Sequence, residues 1–166
     1  MNNISIYTLT SELHDAQAIS AATQEFLNSL DIQYNFKDAD FSDYGTAPLS
    51  LIYVRTGGTE GIFRRLLPEL MNRQQSTTSS QRHRFLLLTS GKSNSLAASL
   101  EILSFLRQQG LQGEVIHGDA QHISHRIQLL EQVSLALQQL EGSRIGVVGK
   151  PSDWLISSVA DYQVVK

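Results

Sequence analysis

Two short runs limit what this chain can fold into. Leu49–Val54 (LSLIYV) is almost wholly apolar, and Phe85-Leu86-Leu87-Leu88 is entirely so. Runs of this length, each leading into a glycine-containing loop, read as strands buried on both faces. Strands covered on both sides belong to parallel sheets. A parallel sheet in turn needs a long crossover between successive strands, usually a helix.

The rest of the sequence supplies those crossovers. Ile4–Tyr7 alternates and reads as a first strand. Ala18, Ala22, Phe26, Leu27 and Leu30 follow at helical spacing, and Ile32–Phe36 alternates again as a second strand with one polar face, suited to an edge. Residues 38–48 form a turn-rich loop ending at Pro48. After the strand at 49–54, Glu60–Arg73 is helical with Ile62, Leu66 and Leu70 on one face. Gln74–Gln81 (QQSTTSSQ) is polar and of low complexity, and reads as a flexible surface loop. Ser95–Gln109 is a helix with Leu96, Leu100, Leu103 and Leu106 inward. Glu114–His117 is a short fifth strand, and Ile123–Leu140 an amphipathic helix through Ile127, Leu130, Leu137 and Leu140. Arg144–Val148 is expected to form a sixth strand, and a last helix begins at Trp154.

The regular alternation predicts a three-layer α/β/α sandwich, Rossmann-like, with a parallel sheet of five to six strands. Its 166 residues suit one domain. Residues 1–142 form the α/β domain; residues 143–166 belong either to it or to the start of a following one. Ligands in such sheets bind where strands end and helices begin, which directs attention to loops 8–14, 55–61, 89–95, 117–122 and 149–154.

Composition removes several classes. The net charge of −3 argues against a general nucleic-acid surface, and no apolar run approaches the ~20 residues of a membrane span. The start, Met1-Asn2-Asn3-Ile4, has no secretory signal pattern. The absence of cysteine excludes disulfides, thiolate metal sites and cysteine nucleophiles. A cytoplasmic domain is the expectation, with neither nucleic acid nor membrane as partner.

The loop Arg55-Thr56-Gly57-Gly58-Thr59-Glu60-Gly61 is the most distinctive. Its three glycines let backbone approach a ligand, and the following helix start presents free N–H groups; a tight turn with Thr59 as N-cap is the plainer reading. Thr89-Ser90-Gly91-Lys92-Ser93-Asn94-Ser95 tempts toward a nucleotide loop. Leu86 stands where that motif needs its first glycine, so the nucleotide reading fails. Lys92 and Asn94 either hydrogen-bond a polyol or leave Asn94 or Ser95 to cap the helix. In Gly149-Lys150-Pro151-Ser152-Asp153-Trp154, Pro151 occupies the position of the phosphate-loop hydroxyl, which excludes that motif too. Trp154 covers the end of a core, the commoner use, or stacks on a sugar ring. His117, His122 and His125 with Asp119 suggest a metal, but solvated or capping histidines are the commoner case. The loop Thr8-Leu9-Thr10-Ser11-Glu12 has hydroxyls without glycine, a weak basis for flavin.

Three stretches together, VRTGGTEG (54–61), TSGKSNSLAASLEIL (89–103) and GKPSDWLISS (149–158), resemble the amino-terminal region of bacterial L-fucose isomerase-like proteins, which are related to fucose and arabinose isomerases. The resemblance runs from about Leu49 to the end, with GKPSDWL the most specific part. The first 48 residues match only in their β-α-β pattern.

The resemblance implies a flavodoxin-like domain of strand order 2-1-3-4-5, followed by two more domains that hold a manganese-type cation through carboxylates and histidine. The chemistry implied is aldose–ketose isomerisation through an enediol. This chain then represents the amino-terminal substrate-wall and oligomerisation domain, inactive by itself, with a sugar substrate and a homo-oligomer in the full-length protein. No catalytic residue or metal ligand carries over. The candidate substrate-binding residues are Thr56, Gly57, Gly58, Thr59, Glu60, Lys92, Asn94, Asp153 and Trp154. Glu60 and Asp153 are the hydroxyl acceptors, Lys92 and Asn94 the donors, and Trp154 a stacking surface. The alternative is a stand-alone flavodoxin-like module for a phosphate, nucleotide or flavin.

Overall fold

A computed structural model describes residues 2–76 and 84–141 and, beyond them, only residues 143, 144, 146, 149, 154 and 156. The elements are β1 (Ile4–Leu9), α1 (Ala16–Asn28), β2 (Tyr34–Asp38), β3 (Leu49–Val54), α2 (Glu60–Ser76), β4 (Arg84–Leu88), α3 (Ser95–Gln108), β5 (Gln112–Ile116) and α4 (Ala120–Glu141). The five strands form one parallel sheet in the order β2-β1-β3-β4-β5, which is the expected α/β architecture and strand order. β1 and β3 pair in register from Ile4↔Leu49 to Leu9↔Val54, and every residue of both is buried. Of the expected sixth strand only Arg144 and Gly146 are described, and neither is in a strand. No helix among the described residues is long and apolar enough to cross a membrane.

Alternation along the strands divides the core in two. Ile4, Ile6, Leu49, Leu51, Leu86, Leu88 and Ile116 face one side, where Leu27 and Leu30 from the α1 region and Ile123, Ile127 and Leu130 of α4 cover them. Leu9, Ile52, Val54, Phe85 and Leu87 face the other side, under Phe63, Leu67 and Leu70 of α2 and Ala98, Ile102 and Leu106 of α3. The loop at 39–48 covers that second side too. It carries the chain from β2 over β1 to β3, and its Phe41 and Tyr44 rings lie 5.2 and 5.1 Å from the ring of Tyr7. Steps across the sheet in one direction therefore use one face, and the opposite step, β1 to β2, uses the other. Crossovers of one uniform hand require that arrangement.

Several sequence expectations change. The inner face of α3 is Ser95, Ala98, Ser99, Ile102 and Leu106, whereas Leu100 is 52% exposed. Small residues let the helix lie close to the sheet, with Leu103 only flanking the core. In α2, Phe63, Leu67 and Leu70 point inward, and Ile62 and Leu66 pack at the margin. The polar stretch after Arg73 begins inside this helix: Gln74 is buried and its Nε2 donates to the Arg84 carbonyl at 3.3 Å. Residues 77–83 lie outside the described residues. On α4 burial ends at Ser134, leaving Leu137 and Leu140 exposed.

One ionic cluster locks the β5 edge. The Glu114 carboxylate accepts from Arg84 Nη2 at 2.6 Å and from Arg126 Nε and Nη2 at 2.6 and 2.8 Å, tying β4, β5 and α4 together. The Arg126 hydrogen bonds hold the Glu114 carboxyl below its ordinary range, against an opposing push from burial. A depressed carboxyl contributes stability that is present above its unfolded pKa and is lost as pH falls through the folded one. Glu114→Gln is accordingly expected to cost about 1 kcal/mol at neutral pH, given that both arginines are partly exposed. Urea unfolding of both proteins should show the difference vanishing once the pH drops below the carboxylate range. A constant difference would assign the effect to packing instead.

Candidate functional site

The loops at the carboxyl ends of the strands bind chiefly to one another. After β3, Thr56 is fully buried and its Oγ1 accepts the Ser11 N–H at 3.0 Å, which joins this loop to the one after β1. Thr59 is also fully buried. Its hydroxyl donates to the Thr56 carbonyl at 3.0 Å, and its own carbonyl receives the Phe63 N–H at 2.9 Å as α2 begins. Thr59 thus stands at the N-cap position directly before α2, with its hydroxyl turned back to donate within the loop. The Gly57 N–H donates to the Ser93 carbonyl at 2.8 Å, and a Cβ on Gly57 would sit 3.0 Å from Asn94 Cβ. Gly58 has φ +73°, where side chains are disfavoured, and is exposed. Two of the glycines are therefore explained by a close loop–loop approach and a left-handed turn.

The loop after β4 is held from below by hydroxyls. Thr89 Oγ1 donates to Ser95 Oγ at 2.7 Å and accepts the Gly91 N–H at 3.1 Å, while Ser95 Oγ donates to the Lys92 carbonyl at 2.6 Å. Ser93 and Asn94 both have positive φ, 53° and 59°. Asn94 occupies the N-cap position of α3 but makes no side-chain capping bond, so its amide, like the Lys92 ammonium, projects from an exposed position. Lys92 Nζ stands 3.8 Å from Glu25 Oε1, a surface contact of little energy. Below this loop, burial pushes the Tyr53 phenol above its ordinary range, with the Ser90 hydroxyl pulling the other way.

The acidic and histidine candidates disperse. Asp119 Oδ1 accepts the His122 N–H at 2.8 Å and so caps α4. His117 lies across Gly91 with Nδ1 3.3 Å from the Thr89 carbonyl, while His122 packs over Gly118. His125 is exposed at the α1–α4 side. Among the described residues no group of three or more histidine, aspartate or glutamate side chains is placed to hold a metal ion. Glu60 turns toward a cleft of about 290 Å³ between α2 and α3, which it shares with Arg64 and Glu101.

The structure thus brings Gly57, Gly58, Lys92 and Asn94 together on one edge of the sheet and withdraws Thr56 and Thr59 into the scaffold. Lys150 and Asp153 lie outside the described residues. Trp154 is 80% exposed and does not cover the end of the core.

Sequence reasoning passed over a second polar group on this edge. Arg55 Nε donates to Thr10 Oγ1 at 2.5 Å, and its Nη2 lies 3.1 Å from Asp38 Oδ1, which also accepts the Thr8 hydroxyl at 2.8 Å. Only the strand order brings these residues together, because β2, β1 and β3 end side by side. The signal available in the sequence was an arginine directly after an almost wholly apolar strand. Comparison with protein-family models, with characterised proteins and with solved structures found no match to this chain.

Proposed function

We propose that this chain is the amino-terminal domain of an L-fucose isomerase-like aldose–ketose isomerase. In this reading it walls the sugar pocket and joins subunits, while domains that follow hold the manganese-type cation and the base. The observation that carries the reading is the Gly57–Ser93 hydrogen bond. It unites two of the three resembling stretches in one surface, on which Lys92 and Asn94 are both exposed. Among the described residues of the strand-end loops, Asp119 caps α4 and Glu60 turns toward the α2–α3 cleft, as a wall allows and a complete catalytic centre does not.

Topology supports a following domain. α4 lies on the same face as α1, so a crossover of the prevailing hand leads from β5 back toward β4, where the positions are filled. A further strand reached by such a crossover is thereby disfavoured beside β5. A self-contained phosphate or flavin module would want free donors after β1, but the Ser11 N–H is bound to Thr56.

The test compares the protein encoded by the whole reading frame with the same protein ended at Lys166, on L-fucose and L-arabinose with manganese. Ketose formation by the first and none by the second is expected. A native stop codon directly after Lys166 overturns the proposal. So does turnover by the shorter chain that disappears on His122→Ala.

A further inference from the structure

The two flanks of α4 differ. On one, Gln128 Nε2 donates to the Asp31 carbonyl and Glu131 Oε1 accepts from Asn3 Nδ2, both at 2.8 Å, so this flank faces the end of α1 and the start of β1. On the other, Arg126, Leu129, Val133, Leu137 and Leu140 recur every three or four residues and form one stripe. Arg126 Nε reaches Glu114 of β5 at 2.6 Å, so the stripe runs along the side of α4 that overlooks the β5 edge. Its four apolar residues are all exposed, Val133 at 52% and Leu140 at 67%. Single exposed apolar residues are ordinary, but four in one row make a contiguous patch that marks an interaction surface.

The two sheet edges differ in the same sense. At β2 the register against β1 shifts between Ile6 and Tyr7, and the strand carries Lys37, two features that discourage pairing with another chain. β5 pairs with β4 without a break from Arg84↔Gln112 to Leu88↔Ile116 and has neither lysine nor proline. Its single charge, Glu114, is neutralised by Arg84 and Arg126. The sheet is guarded at β2 and open at β5, beside the apolar flank of α4.

Charge selects the occupant. From Ile127 to Leu140, α4 carries one charged residue, Glu131, and that residue lies on the opposite flank. A two-fold contact sets a patch against its own copy, so a patch of one charge repels itself and a neutral apolar one does not. A partner chosen by charge finds no free ionic group on the stripe, since Arg126 is already paired. Nor do the described residues after α4 cover it, because Trp154 and Ile156 are themselves exposed.

We infer that two copies of this chain pair through this flank, α4 against α4, antiparallel about a two-fold axis. Val133 and Leu137 lie at the centre, and Leu129 of one copy meets Leu140 of the other at each end. The stripe from Leu129 to Leu140 is about 17 Å long, which puts the contact at the small end of specific interfaces and its Kd at about 1–100 μM. This contact uses none of the three resembling stretches and needs neither a following domain nor turnover, so it goes beyond the isomerase reading.

The experiment is sedimentation equilibrium of the chain from about 1 μM to 1 mM, where a reversible monomer–dimer equilibrium is expected. Val133→Lys and Val133→Glu should each weaken the dimer at least tenfold, because like charges then meet at the centre of the contact. An equimolar mixture of the two variants should restore association, since opposite charges now face each other across the axis. Leu100→Lys, at an equally exposed leucine of α3, should leave the equilibrium unchanged. Should the Val133 variants fail to fold, Leu140→Lys, at a more exposed position, decides alone. The proposal is overturned by a chain that stays monomeric throughout, by association unaltered in Val133→Lys, by a mixture that remains monomeric, by equal loss in Leu100→Lys, or by growth beyond the dimer. None of these outcomes touches the isomerase test, so the two readings fail separately.

Discussion

Phe85→Ala is expected to lower the stability of this domain by about 3–5 kcal/mol, a large part of the roughly 5–15 kcal/mol available to a domain of ordinary size. Phe85 is fully buried on β4, with its ring 5.9 Å from Phe63 of α2 and 6.5 Å from Tyr44 of the 39–48 loop. Through Tyr44 it reaches Tyr7 and Phe41, so one ring joins the sheet, a helix and the crossover loop. Removing it leaves a cavity that these three elements border, and none can collapse into it without releasing another contact. Urea unfolding should show a lower midpoint with an unchanged slope. Leu100→Ala, by comparison, alters a half-exposed leucine on the outer face of α3 and should stay within about 0.5 kcal/mol. Equal losses from the two substitutions would mean that α3 is rotated from the orientation described here.

That contrast shows where the sequence could be read and where it could not. The runs at 49–54 and 85–88 admit one interpretation, because a strand covered on both faces has no polar side to misplace. A helix as rich in leucine as α3 has no such constraint. Leu96, Leu100, Leu103 and Leu106 trace an apolar stripe, but so do Ala98, Ile102 and Leu106 with serines between them, and the period alone does not choose a phase. The sheet chooses, by admitting the small side chains of Ser95, Ala98 and Ser99 to close contact. Gln74 shows the opposite error. Composition placed it in a surface loop, yet a single carbonyl on the neighbouring strand gives its amide a buried partner.

The same distinction applies to the candidate site. That the glycine loop and the 89–95 loop share an edge follows from both succeeding parallel strands, and is legible without coordinates. That Thr56 and Thr59 turn inward is not legible, since their partners, Ser11 and the loop's own backbone, are fixed by how the loops fold over one another. Asp38 ends β2 and Arg55 directly follows β3, and β1 lies between those two strands. Their meeting depends on a sheet order in which the chain doubles back. Pairwise chemistry across a sheet edge is a property of topology, so a motif read along the chain passes it over.

Thr56→Val follows from that inward turn. The substitution keeps the shape of a fully buried side chain but removes the oxygen that accepts the Ser11 N–H. Ser11 is itself buried, so the stranded donor has no ready access to water, and the expected cost is about 1–3 kcal/mol. Thr56→Ser retains the acceptor and should cost less, which separates the hydrogen bond from the methyl group. The backbone N–H of Ser11 should report directly, with hydrogen exchange accelerated in the valine variant and nearly unchanged in the serine one. If Thr56 instead served a ligand, as its place in a glycine loop suggests, the two variants would match the parent protein in stability and exchange and differ only in binding. The buried position and the 3.0 Å bond favour the structural outcome. In that case Thr56 and Thr59 keep the backbone of the glycine loop in place beneath the exposed Gly58.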